Sequence, residues 1–169
     1  MEPTITLAAT AQATLMPLQY AIKIYNGVLK RNDQQSQPLE PHELLTFAVA
    51  QILGQSLPYS EAEALALLTE LQPHLQAIAS DCEQCYANES VELPHDMLYI
   101  GESRWAMWGE RTTYFDPKTL RNEDIPQAPV LAHLIHLGGA YTRLRSQIDQ
   151  ARGQDAESPT NTAEPTFQS

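Results

Sequence analysis

The chain has 169 residues with 21 Asp and Glu against 10 Lys and Arg, a formal charge of −11. Such an acidic chain gains nothing from counterion release on DNA or RNA, so a nucleic-acid partner is not expected. With 43% hydrophobic and 18% charged residues it is too apolar for wholesale disorder.

The acid excess is localised. Between Asn32 and Glu102 there is no Lys or Arg, and the stretch carries Asp33, Glu40, Glu43, Glu61, Glu63, Glu70, Asp81, Glu83, Glu89, Glu92, Asp96 and Glu102. The segment Met1-Glu2-Pro3-Thr4 shows no basic region before an apolar run, and the longest unbroken apolar run is Ala64 to Leu68. A secretory signal or membrane span is therefore not expected. Two cysteines in such a chain suggest a reducing, cytoplasmic setting.

In chain order, residues 4–31 carry Ala8, Ala11, Leu15, Leu18, Ile22, Tyr25 and Leu29 at helical spacing, with a weaker second stripe of Met16, Tyr20 and Ile24. Pro17 predicts a kink or a helix start near residue 16. A helix apolar on two sides would be buried twice or would self-associate, most simply as a homodimer. Residues 32–40 form a polar linker. Pro41 opens a helix whose buried face is Leu44, Leu45, Ala48, Val49 and Ile52, with Gly54 as its stop. Ser60 and Glu63 fit a capping box, and the following helix sets Ala64, Leu68, Leu71, Leu75, Ile78, Cys82 and Cys85 on one stripe, with Pro73 threatening a kink or break.

Residues 97–115 turn aromatic and β-branched, with glycine separators, the pattern of an antiparallel β-hairpin or meander. Residues 128–151 read as a last helix, weakened in its middle by Gly138-Gly139. The tail, 152–169, is expected to be disordered. The fold class predicted is mainly α: four to five helices in a bundle-like domain, residues 1–151, with a small β insertion.

Few residues suggest chemistry. Cys82 and Cys85 could serve as a dithiol or, with His133 and His136 at i, i+3 on the last helix, as a Cys2His2 zinc set. A reactive thiol needs cations or a helix N-terminus, whereas this pair is flanked by Asp81 and Glu83. Both cysteines also simply continue an apolar stripe. His42-Glu43 lacks the second histidine of a zincin, since residue 46 is Thr46, and there is no phosphate-binding glycine loop or nucleophile elbow. No cofactor, bound metal or reaction is expected from these residues.

The function the sequence favours is a non-enzymatic protein-interaction or adaptor module. Its acidic helical face, with Glu61, Glu63 and Glu70, would meet a basic patch on a protein partner. Trp108, with Arg104 and Arg111, would supply an aromatic anchor. The rival is a small zinc or thiol protein using Cys82, Cys85, His133 and His136.

Overall fold

The computed structural model describes residues 4–32, 36–57, 59–100, 105–109, 113–115 and 133–157. It is mainly helical with a small antiparallel sheet.

Thr6 opens α1 (Leu7–Thr14) by accepting the Ala9 amide at 3.3 Å. Thr10 and Thr14 turn their hydroxyls onto carbonyls four residues back, at 3.0 and 2.8 Å, which lets both be buried. The helix stops at Leu15, which takes the left-handed conformation with φ 54°. Pro17 then cannot continue α1 and instead opens α2 (Leu18–Lys23). The last turn of this arm widens into a π-helical segment, Ile24–Val28.

The break changes the reading of the first segment. A single stripe through residues 8–29 does not exist, because the helix phase resets at residues 15–17. Leu15 and Leu18 face solvent, at 86% and 51% exposure, while Leu7, Ala11, Met16, Ala21, Ile24, Tyr25 and Val28 are buried. The first stripe is split between α1 and the second arm, where it meets the second stripe: Met16, Ile24 and Tyr25 are buried there while Leu18 faces solvent, so residues 4–31 are not one helix apolar on two sides.

Pro41 begins α3 (Pro41–Gln55) as expected. Leu44 through Ala50 are all buried, and so is Leu53. Burial around the whole circumference makes α3 the central helix, with α4 (Glu61–Ala87) and α5 (Leu137–Glu157) packed on it. Glu43 also enters the core, at 2% exposure. Its carboxylate takes the Glu40 amide at 2.7 Å and the Arg31 guanidinium at 2.8 and 3.1 Å. Arg31 also covers the Tyr25 ring at 5.2 Å.

Ser60 and Glu63 form the expected capping box at the start of α4 (Glu61–Ala87), and its predicted stripe from Ala64 to Cys82 is buried. At about 1.5 Å per residue this 27-residue helix spans the bundle. It runs through Pro73 without a break. Pro73 and Thr69 lie on the exposed side, where water can take the carbonyl that loses its partner.

The predicted β insertion is present as a meander: β1 (Met97–Ile100), β2 (Trp105–Trp108) and β3 (Thr113–Phe115). A fourth strand, β4 (His133–His136), pairs antiparallel with β1 and gives the order β3-β2-β1-β4. Leu98 stands opposite both Met107 and Ile135, and the three form a buried layer.

The sequence placed residues 133–136 in a helix, and the structure corrects this. Helix α5 (Leu137–Glu157) starts where β4 ends. His136 Nδ1 accepts the Gly139 amide at 2.8 Å, so the histidine caps the helix. Gly138 and Gly139 therefore sit in the first turn rather than mid-helix. A Cβ on Gly138 would lie 2.7 Å from the Pro94 carbonyl oxygen, so the glycine permits a close approach that any side chain would block. Helix α5 also continues to Glu157, into the stretch expected to be a disordered tail; residues 158–169 lie outside the described residues.

Candidate docking groove

The expected acidic face is only partly assembled. Glu61 pairs with Lys23, both about half exposed. Glu63 takes the Ser60 amide and hydroxyl at 2.8 and 2.6 Å, and these bonds hold its carboxyl below the usual range. Glu70 lies exposed two turns further along α4. Other members of the acidic stretch serve structure. Glu43 closes on Arg31, Asp96 is fully buried, and Glu83 accepts from Arg145 and from the Tyr141 hydroxyl.

The aromatic half of the expected site falls largely outside the described residues. The backbone of Trp108 stands in β2 opposite Met97 and Thr113. Its side chain lies outside what is described, and so do Arg104 and Arg111.

The cysteine and histidine set is not a cluster. Cys82 is wholly buried, and its thiol is pushed up to about 12, by burial first and then by Asp96 and Asp81. The Cys85 thiol donates to the Val91 carbonyl at 3.2 Å. His133 and His136 lie on a strand, where a spacing of three puts them on opposite faces. His136 is engaged with α5 and stacks edge-on with His95. Among the described residues no three of His, Cys, Asp and Glu are placed to hold a metal ion. A neutral, buried thiol is also a poor nucleophile.

A different site emerges at the α1–α2 corner. The Leu15-Met16-Pro17 break, the end of α3 and the start of α4 enclose a groove of about 430 Å³. Met16, Ala50 and Ala64 are among its apolar lining residues, and Leu15 and Leu18 stand exposed at the break. Gln55 braces the corner by donating to the Thr14 carbonyl at 2.7 Å. Gln51 ties α3 to Gln147 of α5 at 3.1 Å.

Polar groups line one side of the groove. The Tyr20 hydroxyl oxygen is buried, and among the described residues it has no hydrogen-bond partner. Burial, then Glu61, pushes this phenol up. Tyr59 is pushed up likewise, by burial and then Glu63. Lys23 is the one cation lining the groove among the described residues. It also sits at the entrance to the π-helical turn, a distortion that occurs often at functional sites.

The sequence placed Leu15, Leu18 and Tyr20 on apolar stripes and Glu61 and Glu63 on an acidic face, but did not bring them together at one corner. The available signal was Pro17 directly after Leu15-Met16, which ends one helix and starts another. Among the described residues, no helix is long and apolar enough to cross a membrane. The chain matches no protein-family model, no curated protein and no solved structure.

Proposed function

We propose that the chain is a non-enzymatic protein-interaction module. Its docking site is the α1–α2 groove, and its partner presents an apolar side chain beside a basic one. The observation that carries this reading is Leu15. A leucine in the left-handed region costs about 1–2 kcal/mol relative to a glycine's ease there. Here that residue also leaves its side chain 86% exposed. The left-handed turn closes α1, with the Leu15 and Met16 amides donating to the Gln12 and Ala11 carbonyls at 3.2 and 3.0 Å. A glycine would serve there and the exposed side chain adds nothing to the fold, whereas a partner that covers Leu15 and Leu18 gains an apolar anchor.

Charge chooses between partners. Glu61 lines the groove at the start of α4, Glu63 acts on the lining Tyr59, and among the described residues Lys23 is the one cation that lines it. A basic side chain next to the partner's anchor would meet these two carboxylates. This reading keeps the acidic start of α4 expected from sequence. It transfers the apolar anchor from Trp108 of this chain to the partner.

The test is selection of short peptides from a random display library against the whole protein at low salt. Enrichment of an apolar residue adjacent to Lys or Arg is expected, with NMR shifts at Leu15, Tyr20 and Ala64 on binding. Affinity should fall about tenfold or more in Leu15→Gly and should weaken as salt rises. Selected peptides that bind Leu15→Gly as tightly as wild type would overturn the proposal.

A further inference from the structure

A second cavity, of about 500 Å³, lies between the N-terminal segment, the end of α4 and the middle of α5. Its volume is in the range that small-molecule sites occupy. Arg145, Asp149 and Arg152 follow one another at helical spacings of four and three along α5, so plus, minus and plus share one stripe. All three line the cavity.

The groups around it are unevenly satisfied. Arg145 is largely buried, pairs with Glu83, and lies 4.7 Å over the Tyr86 ring. Its Nε is buried, and among the described residues it has no partner. Arg152 spends a donor on the Thr4 carbonyl at 2.6 Å, a neutral group. Among the described residues it forms no ion pair, so its charge is unbalanced. Asp149 accepts the Tyr86 hydroxyl on Oδ2 at 2.6 Å, which leaves its other oxygen available. Opposite these polar groups the wall is apolar, formed by Ile5, Leu39 and Leu44.

We propose that this cavity binds a small zwitterion with an apolar side chain, of the α-amino-acid class. Arg152 takes the carboxylate. Asp149, about one turn away, takes the ammonium. The Ile5, Leu39 and Leu44 wall receives the side chain. A simple anion would leave Asp149 facing a like charge, and a simple cation would leave Arg152 unmatched. Only a ligand carrying both charges suits the stripe, which fixes the class. The site is separate from the α1–α2 groove and stands or falls independently of it.

The experiment uses the full chain and titrates L-leucine and L-phenylalanine, their N-acetyl derivatives and the corresponding amines lacking the carboxylate. Binding is read by calorimetry and by NMR shifts at Tyr86 and along α5. The free amino acids should bind, and each derivative missing one charge should bind about tenfold or more weakly. Arg152→Gln should lose the preference for the carboxylate, and Asp149→Asn the preference for the ammonium. Both residues lie toward the surface, so folding is checked in each variant by melting. Equal binding of acetylated and free ligands, no binding of either amino acid, or shifts confined to other elements would each overturn the assignment.

Discussion

At the α4–α5 end of the bundle, polar groups are drawn inward and mostly matched, the Arg145 Nε being the exception among the described residues: Glu83 accepts from Arg145 and Tyr141, Arg145 stacks on Tyr86, and Tyr86 donates to Asp149. At the α1–α2 corner the reverse holds. Leucines stand in water, and the buried Tyr20 hydroxyl is unmatched. The first arrangement supports the fold at the expense of desolvating charges, and it survives only while its partners remain. The second costs the fold stability, and it makes sense where something outside the chain restores the balance.

The largest expected effect tests the matched end. Glu83→Ala would leave Arg145 largely buried without its counter-charge and strand the Tyr141 hydroxyl. Breaking such a pair from one side costs about 3 kcal/mol. For a chain of this size the melting temperature should fall on the order of 6–12 °C. A loss under about 1 kcal/mol would mean that water already screens the pair and that the contrast between the two ends is overstated.

A pH measurement probes the same helix. Burial holds the Cys82 thiol neutral up to about 12, against 9.0 when unperturbed. The folded-state value is the higher one, so in alkali the native state binds more protons than the unfolded chain. The stability is fully present below pH 9.0 and drains away as pH rises toward about 12. Cys82→Ala should cost stability at neutral pH by opening a small cavity. It should also show a shallower decline than wild type over this alkaline window, measured by denaturant melts. Parallel declines would show that Cys82 is accessible to water in the native state.

Helix α4 and the meander were legible in sequence, and the break at the α1–α2 corner was not. The Ser60–Glu63 box and the stripe from Ala64 to Cys82 are local signals, and α4 follows them. The meander follows its aromatic and glycine pattern in the same way. Strand β4 was not legible, since His133-Leu134-Ile135-His136 is too short for its period to separate strand from helix. What decides it is the free edge of β1, more than thirty residues earlier. The charge run misled for a related reason. Counting shows twelve carboxylates but not which ones are neutralised. Arg31 reaches Glu43 from 12 residues away and Arg145 reaches Glu83 from 62. The corner was hidden because one left-handed residue resets the phase of every apolar position that precedes or follows it.

Leu15→Gly asks whether the corner really costs the fold something. Glycine takes φ 54° without a Cβ clash, though it adds freedom to the unfolded chain. The net expectation is a gain of about 0.5–1 kcal/mol, visible as a rise of a few degrees in melting temperature. A stability gain coupled to lost peptide binding is the signature of a residue kept for a partner. A destabilised Leu15→Gly would instead place Leu15 among the contacts that hold the fold.

The smallest effect sharpens the electrostatic half of the comparison. Lys23 and Glu61 form an exposed pair of the kind that contributes little, so Lys23→Gln should change stability by less than about 0.5 kcal/mol. Binding should respond in the opposite sense from Leu15→Gly. Without the ammonium, Glu61 lines the groove unopposed with Glu63 nearby on α4, and a peptide with a basic residue beside its anchor should bind a few-fold more tightly at low salt. That gain should vanish as salt rises, because both carboxylates are exposed to screening. If Lys23→Gln weakens binding instead, Lys23 contacts the partner itself, and the partner's complementary group is acidic rather than basic. The leucine anchor would then survive, but the charge assigned to its neighbour would be reversed.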